Sequence, residues 1–290
     1  MQRGPCWWPT GASSAVGFGT EISVTPFLHT EVMTDTTDEV QSASPPRISL
    51  GLCIVKPLVV WDADDTLWAV ELLYDEVRTE IAEYLAAIGI EARAWDAKQR
   101  QVDLQNVGRF GLSRERFPSS CVEAYDALSG VNGREAIRRT IRRLAENVFA
   151  RPAPLAAGAA EALEAMSRLA RQVLLTKGDH EVQEARIRRS GLAGHFEEVH
   201  IVEEKTATVF RTVLDHSHTE PAAAWSIGNS LPSDINPALE VGMSAIWIDA
   251  PVWIHERRER AVAPGQVHVA TSLREAVDLV RSATRSIYLS

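Results

Sequence analysis

The feature that most constrains the fold is a short apolar run that ends in a cluster of aspartates, Leu58-Val-Val-Trp61-Asp62-Ala-Asp64-Asp65-Thr66. An unbroken apolar run of this length is typical of a parallel strand that is buried on both faces. The three aspartates then fall at the carboxyl end of the strand, where open α/β sheets bind their ligands. Because like charges held a few ångströms apart repel one another, the cluster predicts a bound cation, for which Mg²⁺ is the natural candidate.

Composition limits the possible partners. The 290 residues are 45% hydrophobic and 24% charged, which suits one large α/β unit with an insertion or two modest domains. A formal net charge of −9 argues against nucleic acid or an anionic membrane as the main partner. No apolar stretch is long enough to span a membrane and no secretory signal is evident, so a cytoplasmic protein is expected. The scattered cysteines, Cys6, Cys53 and Cys121, predict free thiols in a reducing compartment.

The chain divides into three regions. Residues 1–50 are rich in Gly, Pro, Ser and Thr without helix or strand period, which predicts a disordered N-terminal extension. Residues 69–150 show apolar residues at helical spacing, with a loop expected at Gly108–Gly111 between the second and third helices. From Arg151 onwards short apolar strands alternate with helices. We therefore predict a Rossmann-like, three-layer α/β core with a parallel sheet, formed by residues 51–68 and 151–290, and an all-helical insert at 69–150.

Further polar signals follow three other predicted strands. Thr176 comes directly after an apolar run, and its hydroxyl, with the backbone N–H groups of Lys177 and Gly178, is suited to hold a phosphate oxygen. Lys205 follows the strand at 198–202 and offers a fixed cation. The next strand leads into Gly228-Asn229-Ser230-x-x-x-Asp234.

These four motifs, in this order, resemble those of the haloacid dehalogenase superfamily, most of whose members are Mg²⁺-dependent phosphatases. The resemblance covers residues from about 54 to the end. It implies that Asp62 is the nucleophile that takes the phosphoryl group, and that Asp64 is the general acid and then the general base. It implies phosphate binding by Thr176, Lys177, Gly178 and Lys205. It also implies metal binding by Asp62, Asp64 through its backbone carbonyl, Asn229 and Asp234.

One position departs from the family pattern. Asn229 stands where the family usually has an aspartate, so a neutral amide oxygen replaces a charged ligand, which implies weaker attraction for Mg²⁺. The order of motifs also implies that the helical insert is a cap that closes over the site and selects the substrate. Asn106, Arg109 and Phe110, at the expected passage from helix to loop, are the candidate substrate contacts in this cap.

The function predicted is hydrolysis of a small phosphorylated metabolite, a phosphate monoester, through an aspartyl phosphate at Asp62. Two alternatives remain open at this stage. A 2-haloacid dehalogenase also uses an aspartate nucleophile, although it needs neither a proton donor for the halide nor a divalent metal. A non-catalytic binding or regulatory protein would retain the fold and lose efficient metal capture at Asn229.

Overall fold

The computed structural model describes residues 56–130, 133–249 and 267–289. The predicted N-terminal extension, Cys6 and Cys53 lie outside these residues. The described helices and strands follow one another in the order β1 (Leu58–Trp61), α1 (Glu71–Ala86), α2 (Ala92–Phe110), α3 (Arg116–Ser129), α4 (Glu135–Ala150), α5 (Ala159–Ser167), β2 (Arg171–Lys177), α6 (His180–Ser190), β3 (Glu198–Val202), α7 (Ala207–His216), β4 (Ala224–Gly228), α8 (Asn236–Glu240), β5 (Ser244–Ile248), β6 (Val267–Ala270) and α9 (Leu273–Leu289). None of the helices in these ranges has the length and apolar character needed to cross a membrane.

The described strands form one parallel sheet in the order β3-β2-β1-β4-β5-β6. The predicted α/β fold class is therefore confirmed. The central strand, β1, has β2 on one side and β4 on the other, and Trp61 lies in register with Leu174 and Ile227. Since all three strands run in the same direction, their carboxyl ends meet at one edge of the sheet, where the order of strands reverses.

Helices cover both faces of the sheet because β1 is apolar on both sides. Val59 and Trp61 pack in one cluster with Leu163 of α5 and Val277 of α9. Leu58 and Val60 face the other way and belong to a second cluster, which includes Phe210 and Leu214 of α7 and Ala238 of α8. The result is the expected arrangement of three layers, with the sheet in the middle.

Helices α1 to α4, the first four after β1, form what is called here the insert, residues 71–150. They bury a separate apolar cluster, to which Val77, Trp95, Phe117 and Ile141 contribute side chains. The chain enters and leaves the insert side by side. The backbone N–H of Ala69 donates to the Pro154 carbonyl at 2.8 Å, and that of Ala156 donates to the Leu67 carbonyl at 2.9 Å.

The prediction of a loop that begins at Gly108 is wrong. Helix α2 continues to Phe110, and its C-terminal cap is Gly111, whose φ of +57° is a conformation that glycine adopts without strain. Gly108 lies within the helix, on its exposed side, with open space around its Cα. A glycine at such a position weakens a helix but does not end it.

Candidate active site

Asp62 is the first residue after β1, and the sheet holds its backbone. Its N–H donates to the Ile227 carbonyl of β4 at 2.8 Å. The carboxylate is buried and accepts two hydrogen bonds: Oδ2 from the Thr66 hydroxyl at 2.6 Å and Oδ1 from the Lys205 ammonium at 2.5 Å. Thr66 returns to Asp62 because the chain turns tightly after the strand, with the N–H of Leu67 bound to the Ala63 carbonyl.

Lys205 joins two carboxylates across the edge of the sheet. Its Nζ donates to Asp62 Oδ1 at 2.5 Å and to Asp234 Oδ1 at 2.7 Å, and its side chain is only 1% exposed. Burial opposes the ammonium charge, but the attraction of Asp234 and Asp62 outweighs burial and raises the pKa of Lys205. For Asp62 the balance is reversed, since burial and the charge of Asp234 raise the pKa of its carboxyl despite the ammonium. One ammonium thus offsets the two acids incompletely.

Asp234 is positioned by the turn that follows β4. Its Oδ2 accepts the backbone N–H of Ser230 at 2.9 Å and lies close beneath Gly228. A Cβ at Gly228 would overlap Asp234 Oδ2, so glycine is required for the aspartate to reach this place. Asn229 lies beside the pair, with its Oδ1 at 3.4 Å from the Thr66 hydroxyl. That contact is weak, because the hydroxyl hydrogen is already directed to Asp62.

Asp64 is held by donors from two directions. Its Oδ1 accepts from Trp68 Nε1 at 2.7 Å. Its Oδ2 accepts from Gln183 Nε2 at 2.9 Å and from Arg186 Nη1 at 2.8 Å, both on α6. The carboxylate therefore has a fixed position on the same side of the sheet edge as Asp62.

The segment after β2 forms another wall of the site. Lys177 Nζ donates to Ser233 Oγ at 2.6 Å, in the turn that carries Asp234. Gly178 adopts a φ of +134°, and a Cβ there would lie 3.3 Å from Gln183 Nε2. Asp179 then caps α6 by accepting the backbone N–H of Val182 at 3.2 Å. Glycine is therefore favoured at the point where the chain turns from the strand into the helix.

A cavity of about 140 Å³ lies between the strand ends and the insert. Its lining from the core includes most of the residues expected at the site, namely Asp62, Asp64, Thr176, Lys177, Gly178 and Asn229. The insert supplies the opposite wall with Tyr74, Arg78, Asp103, Arg114, Arg116 and Phe149. Lys205 and Asp234 are bonded directly to this group, and Lys205 also lines a second, adjoining cavity.

Of the three substrate contacts expected in the insert, Asn106 and Arg109 line neither cavity. Asn106 is buried and donates to Ser120 Oγ and Glu123 Oε2. Arg109 pairs with Glu123 at 3.0 Å and lies over the Phe110 ring. Neither residue lines a cavity at the site, whereas Phe110 lines the adjoining one. The insert side chains that do line the first cavity come from α1, from Asp103 of α2, from the loop before α3 and its first residue, and from the end of α4.

Two residues of α6 were missed by sequence reasoning. Gln183 and Arg186 lie with Val182 and Ile187 on the buried face of the helix, where apolar side chains would be expected. The signal that was available is this pair of polar residues at core positions directly after Thr176-Lys-Gly. A buried polar side chain requires a partner, and here Asp64 is that partner.

The donor set around Asp62 suits a hard divalent cation. Asp62, Asp234 and the amide oxygen of Asn229 supply oxygen atoms, the ligands that Mg²⁺ prefers. Within the described ranges no three His, Cys, Asp or Glu side chains converge as a metal-binding group, and Asn229 contributes an amide oxygen rather than a carboxylate. Burial first, and then the charge of Asp234, raise the pKa of Asp62, and a divalent cation at this place would favour the ionised carboxylate against both effects.

Comparison with known proteins gives one family. Residues 56–242, more than half of the chain, match the family described as haloacid dehalogenase-like hydrolase. No curated protein matches the sequence significantly.

Solved structures with the same fold include several of this family. A haloacid dehalogenase-like family hydrolase from Xanthomonas campestris is 25% identical, with a TM-score of 0.70 over 81% of this chain and 99% of that one. The HAD-hydrolase YfnB from Bacillus subtilis, solved bound to magnesium, is 16% identical, with a TM-score of 0.55 over 78% and 99% of the two chains. The L-2-haloacid dehalogenase from Xanthobacter autotrophicus is 21% identical, with a TM-score of 0.54 over 79% and 99%.

Proposed function

Because the chain belongs to the haloacid dehalogenase-like hydrolase family, we propose that it is a Mg²⁺-dependent hydrolase of small-molecule phosphate monoesters, with Asp62 as the nucleophile. The observation that carries this proposal is the second carboxylate, Asp64, which lines the same cavity as Asp62. Phosphate esters need a proton for the leaving oxygen, whereas a departing halide does not. A fixed acid beside the nucleophile therefore favours phosphate chemistry.

The first half of the reaction forms an aspartyl phosphate. A carboxylate oxygen of Asp62 attacks phosphorus, the bond from phosphorus to the ester oxygen breaks, and Asp64 gives its proton to that oxygen. Thr176 and the backbone N–H groups of Lys177 and Gly178 hold the phosphoryl oxygens. Lys205, already bonded to Asp62, offsets the negative charge that builds up in the transition state.

The second half releases phosphate. Asp64, now ionised, removes a proton from a water molecule, which attacks phosphorus and breaks the bond to Asp62. The hydrogen bonds from Trp68, Gln183 and Arg186 keep Asp64 in one position through both steps. Mg²⁺, when held by Asp62, Asp64 through its carbonyl, Asn229 and Asp234, would supply positive charge to the phosphoryl oxygens.

We also propose that residues 69–150 are a cap on a core made of residues 51–68 and 151–290. The support for this division is the cavity, whose walls come from both parts. In that role the insert excludes water and contacts the leaving group. Tyr74, Arg78, Arg114 and Arg116 replace Asn106 and Arg109 as the side chains of the insert that we expect to meet the substrate.

The proposal is tested with p-nitrophenyl phosphate. In millimolar Mg²⁺ the full chain should hydrolyse it, excess chelator should abolish turnover, and Asp62→Asn should lower kcat by about 10³-fold or more because the nucleophile is lost. Asp215→Asn, an exposed aspartate on α7, is the matched control and should retain activity. Turnover that persists in chelator, or in Asp62→Asn, would contradict the mechanism.

The dehalogenase alternative has one observation in its favour, the structural likeness to the L-2-haloacid dehalogenase. Asp62 and Lys205 would serve that reaction as well. Release of chloride from 2-chloropropionate, independent of Mg²⁺ and without phosphatase activity, would favour it over phosphate hydrolysis.

A further inference from the structure

Two buried polar atoms on the α6 side of the cavity have no partner within the described residues. They are Nη2 of Arg186 and Oε1 of Gln183. The side chain of Arg186 is 7% exposed and Gln183 is 2% exposed, and both residues line the cavity that contains Asp62. A buried polar group without a partner is destabilising, so a ligand that supplied the missing hydrogen bonds would bind here favourably.

The orientation of both side chains is determined by their other contacts. Gln183 Nε2 donates to Asp64 Oδ2 and to the Lys177 carbonyl at 2.8 Å, two acceptors that only the amide nitrogen can serve. Its oxygen is therefore the acceptor left without a partner. Arg186 Nη1 donates to the same Asp64 Oδ2, and the guanidinium also interacts with the Tyr74 hydroxyl. Its Nη2 is the donor that makes no hydrogen bond within the described residues.

The pair lies next to the place of the leaving group. Both side chains are anchored on one oxygen of Asp64, the residue that serves the ester oxygen in the proposed reaction. The donor and the acceptor therefore belong to residues one helical turn apart on α6, both of which are bonded to the same oxygen of Asp64. A hydroxyl group can satisfy both at once, because it donates one hydrogen bond and accepts others.

The charge of the cavity argues against a second anion on the leaving group. Acidic side chains along its lining outnumber basic ones by six to five, and the scissile phosphate already adds negative charge. On the insert side, Oδ1 of Asp103 is a further buried acceptor without a partner among the described residues. It too would suit a hydroxyl donor.

We infer that Gln183 and Arg186 form a subsite for the leaving group, and that the substrate is a phosphate ester of a neutral hydroxylated alcohol, such as a polyol. This inference rests on the proposed phosphatase function and deepens it by naming the class of leaving group. Gln183 and Arg186 then have two roles, since they position Asp64 and bind a hydroxyl beside the ester oxygen.

Three esters of equal carbon number test the subsite: propyl phosphate, glycerol 1-phosphate and 3-phosphoglycerate. For the full chain in Mg²⁺, kcat/KM for glycerol 1-phosphate should exceed that for propyl phosphate by about 10- to 100-fold, the value of a hydrogen bond to a charged donor. Arg186→Lys keeps a cation for Asp64 and removes the second donor, so it should reduce this ratio to near one. Gln183→Met should also reduce it.

The ratio of the two substrates separates recognition from a general loss of activity. Arg188→Lys, an exposed position on the same helix, is the matched control and should preserve the ratio. A wild-type ratio below about twofold, or a ratio that neither Arg186→Lys nor Gln183→Met changes, would overturn the subsite while leaving the phosphatase proposal in place. A preference for 3-phosphoglycerate would show an anion subsite and would equally overturn the inference.

The two proposals can fail separately. If none of the esters is hydrolysed, the proposed function fails, and the subsite is judged by binding alone. Glycerol 1-phosphate should then raise the Tm of the wild-type chain more than propyl phosphate does at equal concentration, and Arg186→Lys should remove the difference. Equal shifts in the wild type would refute the subsite.

Discussion

Asp65 shows how burial at one residue makes stability depend on pH. Its φ is +60°, and its Oδ1 accepts the backbone N–H groups of Val70 and Glu71, at the start of α1. Burial raises the pKa of this carboxyl to about 7, against 3.8 for the unperturbed group. Between about pH 4 and pH 7 the folded chain therefore binds more protons here than the unfolded chain, and stability falls as pH rises through that window.

Asp65→Asn should stabilise the protein at neutral and higher pH. Asparagine keeps the acceptor for α1 and tolerates a positive φ, and it removes a charge that the folded state disfavours. At pH 8 we expect a gain of about 1–2 kcal/mol, seen as a Tm higher by a few degrees, and the gain should shrink as pH is lowered towards 4. Thermal melts across this range, with Asp215→Asn as the control, measure it. A gain that is the same at every pH would mean that the charge is not its source.

Asn229 determines how strongly the site should attract its metal. Asn229→Asp adds a carboxylate next to Asp62 and Asp234, so we expect the Mg²⁺ concentration for half-maximal phosphatase activity to fall by about tenfold. In chelator the added charge should lower the Tm of the variant below that of the wild type. If only Asn229→Asp is active, the wild-type chain is better described as a binding protein.

At the scale of single elements, helix α2 carries a buried polar side chain, Gln99, that makes no hydrogen bond to the described residues. Gln99 is fully buried, neither of its amide atoms has a partner among the described residues, and its neighbour Cys121 offers only a weak thiol. Gln99→Met has a similar shape and leaves no amide unpaired, so we expect it to raise the free energy of unfolding by about 1 kcal/mol. Gln105→Met, exposed on the same helix, is the control for a change in helix propensity. Destabilisation by Gln99→Met in urea titrations would show that the amide is satisfied after all.

The helices and strands differ in how well the sequence predicts them. The strand before Asp62 was predictable because an unbroken apolar run of this length is typical of a strand buried on both faces, and the parallel sheet then follows from the alternation with helices. The end of α2 was not predictable, because a glycine such as Gly108 occurs both within helices and in loops, and the sequence does not distinguish the two. Gln183 and Arg186 escaped notice because their partner, Asp64, is more than a hundred residues away along the chain.

For the whole molecule, strand order explains why distant motifs meet. Asp62, Lys205 and Asp234 follow β1, β3 and β4, and a parallel sheet brings such positions to one edge whatever their separation in sequence. Their catalytic and metal-binding roles stay predictions until the variants are measured. The wall that faces them was beyond prediction, because it depends on how four helices pack, and helix packing leaves no short motif in the sequence.

The side-by-side entry and exit of the insert has a consequence for how such proteins diversify. The pairing of Leu67 with Ala156 and of Ala69 with Pro154 makes the four helices equivalent to a very long hairpin turn between two positions that already touch. A segment joined in this way is a cassette: its gene fragment can be lengthened, shortened or exchanged without moving any strand of the sheet. Proteins that descend from one ancestor can thus keep the same sheet and the residues at its edge while their inserts, and with them their substrate specificities, diverge.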